Sequence, residues 1–440
     1  MTTKKSVKKG SPLMYQVKLL RYQVQIFSAT WLAYVGYYFA RKAFYVVKSP
    51  LADELGFTAL DLAHLGTAYL VFYMIGQYSS AYFGRKLGPK LLLLVGMGIS
   101  LACNFIFGIS NSFWTIFLFL ALNGLAQGTG WPGCIGSLAY WFKREKRGTI
   151  LGFWATCYQV GSVVATAFAA YMLGKYGWRW SFFGASMVLL IIWTLVLFLH
   201  PNRPQDVGLD PVVDEEDACE GCSLEEAKAK EDSDNEKLGW TKDVWTTVIT
   251  MGLIYFSIKF LRYALWSWVP FFFNKNFNMD VSDAGYLSTV FDIAGFAGVL
   301  FAGFVSDRFF KGKRALLSAV MLSLMALAFI MMYSKGAHNL LFFTISMGFA
   351  GFMLYGPDSL ISGVGAIDVG SKRGALVAAG IINGTGSIGP IFQEEIIGWL
   401  YTKYNQSIVP ILILLLSMAI LSAVLTFYLY WKSKQGKANL

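Results

Sequence analysis

Long apolar runs divide the chain, and none alternates with the period of a strand. They cover residues 22–47, 58–82, 88–109, 113–141, 149–174 and 180–199, then 244–273, 284–305, 315–333, 340–366, 374–401 and 408–431. Each is near the ~20 apolar residues that carry a helix across a hydrocarbon core. A membrane barrel would instead show ten-residue segments of period two. The pattern therefore predicts an all-α membrane protein with twelve transmembrane helices. A polar stretch separates the sixth run from the seventh. The expected organisation is a tail over 1–21, a six-helix half over 22–199, a linker over 200–243, a second half over 244–431 and a tail over 432–440.

Composition agrees and narrows the class. Hydrophobic residues make up 56% of the 440 and charged residues only 14%, with a mean hydropathy of +0.51. A soluble chain of this size could not hide so much apolar surface, which excludes soluble enzymes, disordered chains and fibres. Net charge is +11, yet residues 201–240 hold 13 acids and 4 bases, a local −9. Bases gather after runs two, four and eight, at Arg85, Lys86 and Lys90, at Lys143, Arg144, Lys146 and Arg147, and at Arg308, Lys311, Lys313 and Arg314. In a membrane protein such loops mark the cytoplasmic side. Both tails and the acidic linker are thus expected in the cytoplasm, in a plasma (inner) membrane, and the positive charge does not read as a nucleic-acid footprint.

Little else in the sequence suggests a cofactor or metal. Cys103, Cys134 and Cys157 sit in apolar runs as small hydrophobes, and Cys219 and Cys222 form one C-x-x-C in the linker without a second ligand pair. His64, His200 and His338 fall at run ends and are expected not to be buried. No nucleophile–base pair, phosphate-cradling loop or redox motif stands out, so neither an enzyme nor a cofactor is expected.

The two halves repeat each other. Arg41 and Arg262 are offset by 221, Arg85 and Asp307 by 222, Pro132 and Pro357 by 225, and the Lys-Arg-Gly triplets at 146 and 372 by 226. A parallel duplication of helices puts a transporter's site between the repeats near the bilayer midplane.

Charges inside the runs carry the chemistry, since each costs ~2.5–3.5 kcal/mol on insertion scales. Arg41 and Arg262 occupy equivalent places and are expected to face each other across a central cavity, where their planar forks match phosphate or carboxylate oxygens. Lys259 shares a helix face with Arg262. Lys42 points about 100° away from Arg41 and reads equally well as structural. Asp292 lies about 22 Å from the cytoplasmic Asp307 along a helix, too deep for bulk water, and Lys259 or Arg262 is its expected partner. Asp358 is expected to pair similarly. Four cations against two acids leave a surplus of two positive charges, the complement of a phosphate ester carrying about −1.5 to −2. Tyr37, Tyr38, Trp131, Trp154, Tyr158 and Tyr263 crowd the same level, and Gln127 and Asn383 add uncharged polarity. These side chains could serve phosphate and sugar oxygens or simply pack.

The stretch Tyr37-Tyr38-Phe39-Ala40-Arg41-Lys42-Ala43-Phe44 resembles the first-span signature of the organophosphate:inorganic phosphate antiporters of the major facilitator superfamily. So do Asn123 to Pro132, Leu261-Arg262-Tyr263, and Gly303 to Arg308. Leu287 to Asp292 and Asn383 to Gly389 look most like the sugar-phosphate exchangers. The resemblance implies the major facilitator fold, with two pseudo-symmetric six-helix halves. It implies phosphate binding by Arg41 and Arg262, an intramembrane acid at Asp292, and gating contacts at Asp307 and Arg308. Gln77 and Tyr158 stand where glycerol-3-phosphate transporters have lysine and histidine, which argues against that substrate. The expected activity is exchange of a sugar phosphate, glucose 6-phosphate first, for inorganic phosphate, by a monomer. The alternatives are a hexose-phosphate sensor with a membrane kinase as partner, and a proton-coupled carrier of another organic anion.

Overall fold

A computed structural model describes residues 12–143, 150–151, 153–210, 212, 241–309, 314–361 and 366–435. Most of the acidic linker, with Cys219 and Cys222, lies outside the described residues, as does the Lys146-Arg147-Gly148 triplet.

The first half consists of α1 (Pro12–Val46), α2 (Lys48–Leu55), α3 (Ala59–Leu87), α4 (Pro89–Ile109), α5 (Phe113–Gln127), α6 (Gly130–Trp141), α7 (Thr156–Tyr176) and α8 (Trp178–Leu199). The second contains α9 (Lys242–Phe277), α10 (Val281–Arg308), α11 (Arg314–Ser334), α12 (Leu340–Ser359), α13 (Ala366–Lys403) and α14 (Val409–Lys434). Among the described residues there is no strand.

Local sequence explains the joints. Gly88 and Gly177 connect α3 to α4 and α7 to α8 as single residues with φ of +76° and +88°. Only glycine adopts those values without strain. The fourth apolar run, expected as one helix, is split into α5 and α6. Pro132 has no N–H to offer the carbonyl of Gly128, and the chain turns at Gly128 and Thr129. Pro357 stays inside α12.

Packing reveals the repeat directly. In the first half α1 lies on α7, α3 on α5 and α4 on α8; in the second α9 lies on α13, α10 on α12 and α11 on α14. Exchanging each helix for its repeat partner turns the first set into the second. Contacts between the halves obey the same rule, α3 against α13 and α7 against α10. The expected architecture of twelve passes in two pseudo-symmetric halves is therefore observed, α5 and α6 counting as one pass.

Nine of the described helices are long and apolar enough to cross a membrane. Large apolar side chains stand exposed around the bundle, among them Phe198, Trp114, Phe153 and Leu300. In water such a belt would be an aggregation surface, whereas in hydrocarbon it is the stable face. The chain is a multi-pass integral membrane protein.

The halves seal against each other at the end of the bundle opposite the chain's two tails. There Lys48 of α2 pairs with Glu394 of α13 at 3.0 Å, both side chains fully buried. Ser267 Oγ donates to the other Glu394 oxygen, and Lys48 lies 3.9 Å from the Trp268 ring. Lys275 with Asp53 and His64 with Glu395 add cross-half pairs nearer the surface.

Candidate functional site

Behind that seal a cavity of about 380 Å³ lies between the halves, and both Arg41 and Arg262 line it. One arginine from each half therefore borders the same cavity. Tyr38, Trp131, Tyr158, Lys259, Tyr263, Asp358 and Asn383 also border it.

Close helix contacts set the geometry around Arg41. A methyl on Gly124 would fall 2.2 Å from the Tyr69 carbonyl oxygen, so α3 and α5 meet backbone to backbone. That approach brings the Tyr69 hydroxyl to Gln127 Oε1 at 2.8 Å, and Arg41 Nε donates to the same oxygen at 3.1 Å. Gln127 in turn donates to Asn123 Oδ1. It is buried and does not line the cavity; it fixes the direction of Arg41. The guanidinium lies 4.9 Å from the Tyr73 ring, 5.1 Å from Tyr38 and 5.8 Å from Tyr69. Aromatic faces stabilise its charge without occupying its donors. Among the described residues no carboxylate lies within 4.0 Å of it.

Arg262 is held differently. Its Nη1 donates to Asp358 Oδ2 at 2.5 Å, while its Nε is buried without a partner among the described residues. Trp266, at 5.0 Å, and Tyr355, at 5.7 Å, flank it. Lys259 donates to Asn383 Oδ1 at 2.7 Å and Ser387 Oγ at 3.2 Å and, among the described residues, has no carboxylate within 4.0 Å. Among the described residues the cavity is thus lined by three cations, Arg41, Lys259 and Arg262, against one carboxylate, Asp358, a formal surplus of two.

Several expectations need correcting. Asp292 pairs with Lys42 at 3.7 Å, not with Lys259 or Arg262. Lys42 is turned away from the cavity that Arg41 enters, and its neighbour across the bundle is α10. Asp292 also accepts from Ser162 at 2.5 Å, Trp266 at 2.7 Å and the Tyr355 hydroxyl, so the carboxylate is sealed by donors from both halves. Tyr37 does not border the cavity; its hydroxyl contacts Thr129 at the α5–α6 break. Trp154 lies behind the cavity wall, donating to Thr30 and packing on Tyr34. His200 is fully buried at the end of α8, contacting Ser137, and burial pushes its pKa down to about 4. Arg308 is exposed at the end of α10, and the Asp307 side chain lies outside the described residues.

Sequence reading missed Tyr69 and Tyr73. Their signal is the four-residue spacing Tyr69, Tyr73, Gln77, which places all three on one face of α3. It missed Lys48 and Glu394 as well, although an acid within the run 374–401 was visible.

Comparison with known proteins agrees with this architecture. The profile of the Major Facilitator Superfamily matches residues 30–393 and 251–440. The Glycerol-3-phosphate transporter of Bacillus subtilis (strain 168) is 27% identical over 395 residues, spanning 88% of this chain and 87% of that protein. A Probable hexose phosphate transport protein of Chlamydia pneumoniae is 26% identical over 386 residues, 86% of this chain and 85% of that one. In fold, the crystal structure of a bacterial homolog to the human lysosomal transporter Spinster superposes with a TM-score of 0.73 at 14% identity, covering 98% of this chain and 99% of that one. The chain belongs to the Major Facilitator Superfamily, and its relatives fit the organophosphate:phosphate antiporter branch that its motifs resemble.

Proposed function

We propose that this protein exchanges an organophosphate, a sugar phosphate such as glucose 6-phosphate, for inorganic phosphate by alternating access. The observation that carries this reading is a cavity between the two halves, lined by Arg41 and Arg262 and, among the described residues, with a formal surplus of two positive charges. Arg41 offers its Nη donors and Arg262 its unpartnered Nε, a pair of forks suited to phosphate oxygens. Like charges facing each other oppose closure of the empty cavity. A phosphate dianion removes that opposition, so the loaded protein reorients and the empty one does not. Obligatory exchange follows without a second coupling ion. The burial and full hydrogen bonding of Asp292 outside the cavity disfavour a proton-coupled cycle through that acid.

By the distribution of basic loops the tails are cytoplasmic. The sealed end then faces outward and the cavity faces the cytoplasm. The protein works as a monomer in this reading, since each half supplies one arginine of the clamp.

Counterflow in proteoliposomes tests the proposal. Uptake of labelled phosphate is expected to require internal phosphate and to yield to glucose 6-phosphate but not to glucose. Arg41→Ala and Arg262→Ala are each expected to abolish it while the protein still inserts. Exchange at near-normal rate in either variant would overturn the clamp, and binding of glucose 6-phosphate without exchange would point to a sensor.

A further inference from the structure

Lys259, Asn383 and Ser387 form a second polar cluster in the cavity wall, one helical turn from the clamp. Lys259 precedes Arg262 by three residues, about 4.5 Å along the axis of α9 and on the same face. Its ammonium has three N–H groups. Two are taken by Asn383 Oδ1 and Ser387 Oγ. The Asn383 amide nitrogen donates to nothing among the described residues, and the side chain is exposed to the cavity. Gly389 holds α13 close enough for this, since a methyl there would lie 2.5 Å from the Phe256 carbonyl oxygen of α9. The cluster therefore presents at least one lysine N–H and two amide N–H groups, all donors, beside the phosphate site.

We infer that the Lys259–Asn383–Ser387 cluster receives the hydroxyl-bearing part of the organophosphate and separates it from inorganic phosphate. This rests on the proposed phosphate clamp. Charge balance selects the chemistry of the occupant. Among the described lining residues, Arg41, Arg262 and Lys259 against Asp358 leave two formal positive charges, which one phosphate dianion already neutralises. A carboxylate on the same ligand would add an unmatched charge, whereas hydroxyl oxygens accept from the cluster without one. Inorganic phosphate sits in the clamp and is too short to span both. A site built to bond hydroxyls discriminates against ligands lacking them, because its donors are then left unpaired.

The test compares equilibrium binding of glucose 6-phosphate, 3-phosphoglycerate and inorganic phosphate to the purified full-length protein, with counterflow run in parallel. In the wild type, glucose 6-phosphate is expected to bind more tightly than 3-phosphoglycerate. In Asn383→Ala the ratio of the glucose 6-phosphate Kd to the phosphate Kd is expected to rise by about tenfold, the scale of one or two lost hydrogen bonds. Ser387→Ala, which frees a lysine donor without deleting it, is expected to move the ratio less. An unchanged ratio in Asn383→Ala, or preference for 3-phosphoglycerate in the wild type, would overturn the inference. A changed ratio in a protein that binds but does not exchange would keep the subsite and remove the exchange reading. Binding of none of the three ligands would remove both.

Discussion

Two carboxylates in the second half have opposite fates, although both lie in apolar helices. Asp292 is 2% exposed and satisfied by Lys42, Ser162, Trp266 and Tyr355. Asp358 stands in the cavity on one fork of Arg262. Removing the first leaves Lys42 buried without its counter-charge. Asp292→Ala is therefore expected to destabilise the protein by about 3–5 kcal/mol, read as a lower melting temperature in detergent, with Lys42→Met in the same chain restoring much of the loss. Removing the second frees a donor in the proposed clamp. Asp358→Asn is expected to tighten phosphate binding and slow its release, measured as a lower Kd and a lower exchange rate. Arg41 and Arg262 were legible in the sequence because a guanidinium in an apolar run demands a reason. Which acid served which cation was not, since that depends on the rotation of α9 and α10 about their axes. Lys48 escaped notice because a lysine at the end of a run reads as one reaching for the interface.

At the scale of helices, the twelve passes and their pairing into halves followed from run length and from the 221–226 offset between repeats. The division of the fourth pass did not, because a proline within a membrane helix can sit inside it without ending it, as Pro357 does in α12. The structure also gives the one glycine of α5 a definite duty. Gly124 lets α3 and α5 touch at the Tyr69 carbonyl, and that contact sets the Tyr69–Gln127–Arg41 chain. In Gly124→Ala the added methyl would force the helices apart, at about 1–3 kcal/mol for overpacking. Weaker phosphate binding is expected to accompany the lower melting temperature. A stability loss with unaltered phosphate affinity would mean that Arg41 keeps its direction without α3.

For the molecule as a whole, the sealed end decides which conformation rests. Its inner bolt is the Lys48–Glu394 pair, which joins the halves with both side chains fully buried. The proposed alternating access requires the pair to part, and each charge then regains hydration. Glu394→Gln is expected to shift the protein toward the state open at that end. The reporter is a cysteine placed at Ala63, against which Gly398 packs. Faster labelling by an impermeant thiol reagent in Glu394→Gln would support the bolt, and an unchanged rate would show the pair to be static filling. The outer pairs, Lys275–Asp53 and His64–Glu395, are partly exposed and contribute little on their own.

The two surplus charges of the cavity also have an electrical meaning. In the proposed cycle the cavity opens first to one side and then to the other, so the membrane potential would act across those charges, and each is worth up to about 2.3 kcal/mol per 100 mV. An empty cavity is thus a voltage-sensitive object, while one filled by a dianion is electrically silent. Exchange of one phosphate dianion for another is expected to draw no steady current on a supported membrane and to ignore an imposed potential. Any slow return of the empty protein would show itself as a small current whose size changes steeply with voltage.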